Sequence, residues 1–320
     1  ISLLQLSRSL SKIKILTCFL IYGVFFTSMF VTNDVSLIIF VPLTIILFKA
    51  GQKEHYILPV LTLENIAAIR GSLLTPFGSP QNLYLFSQSG IKVYDFFMMM
   101  LPLSAMSFFL IYIFISFLFR RDSSEIILIQ DTSFSTPWQI ERRKNRILYL
   151  ILFFIIIAAI VSRTTFWPYI TAFVALTILI FDRRILLKTD YVLLLTFLCF
   201  FIFSSSIAKN ERIALFLQNT VSGHEYMSSI LLSQLISNVP ASIVLWPFTR
   251  ENGLRALIYG LDSAGLCSII GSLASVINLR IYGKEYPGKT FDFIKTFTWI
   301  SLIFFAIVVL PQLFIIRFFE

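Results

Sequence analysis

Four ionisable side chains, Asp34, Glu64, Arg70 and Asp262, stand inside or between long apolar runs. A charge among hydrocarbon is expensive, so each must be paired, protonated, bound to a cation or placed beside water. Asp34 sits between two such runs, where it can hold Na⁺, carry a proton or cap backbone amides. Arg70 lies about 14 residues into its run, roughly 20 Å along a helix, too deep for its head to reach the surface. It either binds an anion or pairs with Asp262. Glu64 is shallower and is expected to face a watery vestibule. Other chemistry is thin. His55 and His224 lie outside the apolar cores, and Cys18, Cys199 and Cys267 are far apart, so no metal spacing, disulfide framework or nucleophile–base set is formed. No phosphate-binding glycine loop is present. The chain is expected not to be an enzyme and to need no cofactor.

The surroundings of these residues set their meaning. The chain has 320 residues, 57% hydrophobic and 13% charged, with 35 Phe, and its mean hydropathy is +0.85. Soluble domains carry about a quarter charged residues, so an ordinary water-soluble fold is excluded. Apolar runs recur at 14–31, 35–48, 56–86, 94–119, 147–162, 166–181, 191–207, 226–248, 254–281 and 293–318. With about 20 residues needed per crossing, the chain reads as an all-α, multi-pass cell-membrane protein. The net charge of +9 resides in short loops, where it reports topology rather than nucleic-acid binding.

Two blocks depart from plain spans. Runs 14–31 and 35–48 are separated by Thr32-Asn33-Asp34 alone, which predicts a re-entrant hairpin over 14–48. Residues 226–248 repeat this, with Ser237-Asn238 and Pro240 in the middle. Each hairpin precedes an interrupted helix. Thr75-Pro76-Phe77-Gly78-Ser79-Pro80-Gln81-Asn82 breaks the first, since proline removes a donor and clashes with the preceding turn. Ser268-Ile269-Ile270-Gly271-Ser272 breaks the second. The predicted order is therefore a first repeat over 1–119 (hairpin 14–48, broken helix 56–86, span 94–119) and a linker over 120–146. The second repeat covers 147–320, with spans 147–162, 166–181 and 191–207, hairpin 226–248, broken helix 254–281 and span 293–318. The three spans that open the second repeat lack counterparts in the first, which leads to the expectation that about 60 residues of scaffold helix precede Ile1. Lys49, Lys53, Arg120, Arg121, Arg142 and Arg143 crowd one side, which makes 120–146 cytoplasmic and the two repeats oppositely inserted.

Inverted repeats with interrupted helices are a plan for secondary transport, with the site where the repeats meet. Helix N-termini at such breaks attract anions, while freed carbonyls with Ser, Thr and Asn oxygens suit Na⁺. Aligning Gly78 with Gly271 sets Arg70 opposite Ser263, next to Asp262, so an Arg70–Asp262 pair across the pseudo-twofold axis is expected.

Thr32-Asn33-Asp34-Val35 with Pro42, the segment Thr75–Asn82, and Ser237-Asn238-Val239-Pro240-Ala241 together resemble the ion transporter superfamily along the whole chain. That group includes citrate and dicarboxylate/sodium symporters, arsenite-efflux permeases and a type of sodium/proton antiporter. In the dicarboxylate symporters each hairpin tip carries Ser-Asn-Thr. The resemblance therefore implies substrate binding by Thr32, Asn33, Asp34, Ser237 and Asn238, with Arg70 added by its depth. The departures are Asp34 and Val239 at the third position of each tip. Na⁺ ligand candidates are Asn33, Asp34, Thr75, Gly78, Ser79, Asn238, Ser268, Gly271 and Ser272. Asp34, Asp262 and Arg70 are candidates for coupling or charge pairing. The expected function is secondary transport of a small anion, a carboxylate or inorganic oxyanion, coupled to Na⁺ or H⁺. A Na⁺/H⁺ antiporter or an arsenite-type efflux permease is the alternative, and a non-transporting membrane scaffold a remote one. The expected partners are the anion and the lipid bilayer, with no nucleic acid; a homodimer is an open expectation because relatives often dimerise through scaffold helices.

Overall fold

The computed structural model describes residues 12–121, 146–162, 165–187 and 191–319. Most of the predicted linker therefore lies outside the described residues. Every regular element among the described residues is helical. The first repeat runs α1 (Ile13–Val31), α2 (Asn33–Ala50), α3 (Ile57–Ser72), α4 (Pro80–Ser89) and α5 (Val93–Leu118). Then follow α6 (Arg146–Ser162), α7 (Trp167–Leu187), α8 (Tyr191–Lys209) and α9 (Glu211–Val221). The second set is α10 (Glu225–Ile236), α11 (Asn238–Leu245), α12 (Leu254–Cys267), α13 (Leu273–Glu285) and α14 (Thr290–Phe319).

The chain forms two compact units. In the smaller, α6 and α7 pack together, and the Tyr149 hydroxyl donates to Asp182 Oδ2 at 3.0 Å. The larger contains both hairpins and both broken helices, and its packing repeats itself. α1 crosses α3 as α10 crosses α12, and each hairpin's return arm packs on the distal half of the other repeat's broken helix, α2 on α13 and α11 on α4. The crossings are close. A Cβ on Gly71 would lie 2.0 Å from the Phe25 carbonyl oxygen, and one on Gly260 1.9 Å from Ser229 Oγ, so only glycine lets the helix axes approach this far.

Phe109, Phe117 and Phe314 face outward, whereas Thr17, Asn65, Ser107 and Ser233 are buried. This inversion suits a hydrocarbon solvent, in which buried hydroxyls must find acceptors. Thr17 donates to the Ile13 carbonyl at 2.8 Å, Ser107 to Leu103 at 2.7 Å and Ser233 to Ser229 at 2.6 Å. Among the described residues, four helices are long and apolar enough to cross a membrane: Ile13–Val31, Asn33–Ala50, Val93–Leu118 and Thr290–Phe318. The two hairpins thus differ in reach. The first has arms of 19 and 18 residues, each near bilayer thickness, while the second has arms of 12 and 8. α9 is an element the apolar-run reading passed over. It is amphipathic, and its Asn210 cap accepts from the Ile213 N–H at 3.3 Å.

Candidate functional site

Thr32 and Ser237 join the arms of the two hairpins with nearly the same backbone, φ 70°, ψ 154° and φ 69°, ψ 162°. Positive φ is strained for both residue types, and adopting it twice marks an over-determined tip rather than a chance turn. The bonds that hold each tip are also repeated. The Asn33 N–H donates to the Gly78 carbonyl at 3.1 Å, and the Asn238 N–H donates to the Gly271 carbonyl at 3.2 Å. Each glycine N–H in turn donates at 3.3 Å, Gly78 to Thr75 and Gly271 to Ser268. The breaks are tight. A Cβ would lie 2.2 Å from the Ser72 carbonyl oxygen at Gly78 and 2.0 Å from that of Ala264 at Gly271. Ser79 and Ser272 then leave the breaks in extended conformation as the residues preceding α4 and α13.

Hydroxyls fasten the breaks to the hairpins differently in the two halves. Thr75 donates to the Met29 carbonyl. Ser268 donates to Gln234 Oε1 at 2.6 Å, and Gln234 Nε2 reaches the Ala264 carbonyl at 3.2 Å. Asn33 and Asn238 are both buried, 4% and 2% exposed, so both tip asparagines sit inside protein. Asn33 Oδ1 accepts from the Asp34 N–H at 2.9 Å. Helix-start amides at the first tip are thus largely committed to backbone and to Asn33, while oxygens are left over. Asp34 Oδ1, Ser79 Oγ and Asn82 Oδ1 are buried without partners. Unsatisfied carboxylate and amide oxygens suit a cation better than an anion. The second tip carries no acidic residue in its first turn.

Arg70 and Asp262 meet. Their side chains, 0% and 2% exposed, form a buried ion pair through Arg70 Nη1 and Asp262 Oδ2. Arg70 Nη2 also donates to Ser263 Oγ at 3.3 Å, and the Ser263 hydroxyl donates to Gln312 Oε1 at 2.8 Å. Ser104 closes the network by donating to the Arg70 carbonyl at 3.3 Å. α3, α5, α12 and α14 are joined here, and the charge of Arg70 is matched by a carboxylate rather than displayed to an anion. Ser104 and Gln312 were not singled out in the sequence. Gln312 next to Pro311 in an apolar run was the available signal.

Glu64 corrects an expectation. It is completely buried rather than facing a vestibule, because α2 and α13 cover the face of α3 that carries it, and Thr44 donates to its Oε1. Elsewhere, a cavity of about 330 Å³ beside the second hairpin is lined by Tyr84, Gln88, Ser204, Ser205, Ile243 and Trp246, among others. At the chain's surface, Lys49 pairs with Glu285 and lies 4.5 Å above the Tyr286 ring, whose hydroxyl donates to Glu54 Oε2 at 3.2 Å. The segment after α2 and the end of α13 thus touch here.

Comparison with known proteins extends the geometry. Over 275 residues the chain is 32% identical to an uncharacterized transporter of Methanocaldococcus jannaschii, covering 86% of this chain and 73% of the relative. It is 28% identical over 319 residues to the inner membrane protein YbiR of Escherichia coli, covering 96% and 81%. The model of the family described as "Citrate transporter" matches residues 1–251, which takes in both hairpin tips and the first broken helix. A membrane chain with twin hairpins docked on broken helices and this match is a membrane transporter, and it belongs to the citrate-transporter family.

Proposed function

We propose that the protein is a secondary active transporter carrying a small anion, a carboxylate or an inorganic oxyanion, together with Na⁺ or H⁺. The observation that carries this reading is the twice-made bond from a hairpin-tip asparagine to the glycine of a broken helix. It gathers interrupted backbone at two corresponding places, the arrangement from which carriers build ion and substrate sites. The partnerless oxygens of Asp34 and Ser79 favour the coupling cation at the first tip. The second tip lacks a carboxylate in its first turn, and Asn238 is buried there at the start of α11, so an anion is best received there. Asp34 and Val239 also favour a second reading, a Na⁺/H⁺ antiporter or arsenite-type efflux permease, in which no organic anion moves.

Uptake into proteoliposomes separates the readings. Radiolabelled citrate, shorter carboxylates, sulfate and Na⁺ are offered under imposed Na⁺ and pH gradients. Anion uptake driven by either gradient, and lost in Asn238→Ala, supports the proposal. Na⁺/H⁺ exchange with no anion uptake overturns it for the antiporter.

A further inference from the structure

The junction of α2, α3 and α13 holds polar side chains that the tip site does not use. Thr44, Glu64, Asn65, Ser275 and Asn278 are all 0% exposed. Thr44 donates to Glu64 Oε1, but Glu64 Oε2 has no partner. Asn65 Nδ2 donates to Ser275 Oγ at 3.0 Å, and Asn65 Oδ1 has no partner. Asn278 Nδ2 donates to the Leu61 carbonyl at 2.8 Å. Because a carbonyl only accepts, the Asn278 amide can be oriented in one way, and its Oδ1 is left without a donor. Leu61, Glu64 and Asn65 are spaced three and four apart, so they share one face of α3. Three partnerless acceptors, one of them on a carboxyl group, therefore lie at the junction of α3 and α13.

The other repeat shows that the fold does not require this polarity. The register that aligns Gly78 with Gly271 sets Leu257, Ile258 and Leu85 at the places of Glu64, Asn65 and Asn278, and all three are fully buried. The same junction is thus packed with hydrocarbon on one side and with oxygen on the other. A water molecule would supply two donors and no charge, and a proton one donor. A cation satisfies all three oxygens and the carboxylate charge at once.

We propose that Glu64, Asn65 and Asn278 form a monovalent metal-cation site, suited to Na⁺ and separate from the hairpin tips, with Thr44 and Ser275 fixing the carboxylate and the amide. The site rests on buried geometry and not on the transport reading. Its test is therefore equilibrium binding of ²²Na⁺ to the purified full chain in detergent, with no anion present. The background is Asn33→Ala with Asn238→Ala, which weakens any tip site. Expected is saturable Na⁺ binding that falls by one equivalent in Glu64→Gln and weakens at least about tenfold in Asn278→Ala, the usual scale for losing one charge-assisted contact. Both variants should elute at the parent's size, and the second leaves the carboxyl intact should the first fold poorly. Unchanged Na⁺ binding in both variants overturns the proposal. So does an infrared carboxylic-acid C=O band lost in Glu64→Gln and present in saturating Na⁺, which would mean that Glu64 is protonated instead.

Discussion

Arg70→Ala, Asp262→Ala and the double variant form a cycle whose outcome is dictated by burial. Both side chains are shut off from solvent, and the guanidinium bonds to Asp262 and Ser263. Removing one member strands the other charge in the interior, a loss of about 3–5 kcal/mol, or roughly 100- to several-thousand-fold in the unfolding equilibrium. Removing both deletes the attraction and both desolvation costs together, so the double variant should lie nearer the parent than either single one. The coupling energy should then exceed about 2 kcal/mol, well above the ~0.6 kcal/mol typical of hydrogen bonds between membrane helices. The assay is thermal or denaturant unfolding of the purified chain in detergent, followed by fluorescence-detected size exclusion, with uptake measured in parallel. Additive losses, with the double variant as unstable as the two singles summed, would refute the reasoning. An Asp262→Arg, Arg70→Asp exchange that restores folding but not uptake would show that the pair's polarity also matters to transport.

Gly78→Ala should destabilise by about 1–3 kcal/mol and abolish uptake, since its Cβ would meet the Ser72 carbonyl at 2.2 Å. Gly288→Ala meets nothing within 4 Å and should cost only about 1 kcal/mol, for its φ of +85°, which makes it the control in the same unfolding assay. Glu225 is the first residue of α10, at the open end of the second hairpin. Burial alone would raise its carboxyl, but the Gly223 N–H and the Arg250 guanidinium outweigh that and hold it below its ordinary value. Its contribution is therefore complete above the ordinary carboxylate range and is lost as pH falls through the lowered value. Unfolding measured down to acid pH should show less acid loss in Glu225→Gln than in the parent. Finally, a disulfide between Lys49→Cys and Glu285→Cys should stop uptake and a reductant restore it, whereas Lys49→Ala should shift stability by less than about 1 kcal/mol because that bridge is exposed.

The tips and breaks were legible because their residues admit few other roles. Pro76, Gly78 and Pro80 within five positions end any helix, and Asn33 and Asn238 each stand ahead of a broken helix and a long apolar span. The same register put Asp262 within reach of Arg70, which no local property of either residue could do. The contents of the interface were harder to read. Depth along α3 was counted correctly for Glu64, but its exposure depends on α2 and α13 packing laterally, and linear distance is blind to that. α9 escaped because the search was for apolar runs, although Asn210 before Glu211 is a helix-start signal. The unequal arms of the two hairpins were missed for a related reason. The run 35–48 measures hydrophobicity, while its helix reaches from Asn33 through Lys49 to Ala50, the long stem of Lys49 tolerating the boundary.

The bridge between Lys49 and Glu285 is partly in water, its side chains 34% and 48% exposed, and the neighbouring Glu54 is exposed as well. Solvent therefore keeps its worth to a fraction of a kilocalorie up to about one, enough to tilt a balance between two shapes by no more than about fivefold. For the carrier proposed above this weakness would be useful. A fastening that strong salt would loosen and a bound ion could outvote would leave two shapes populated, so that the decision about which is preferred would pass to the cargo.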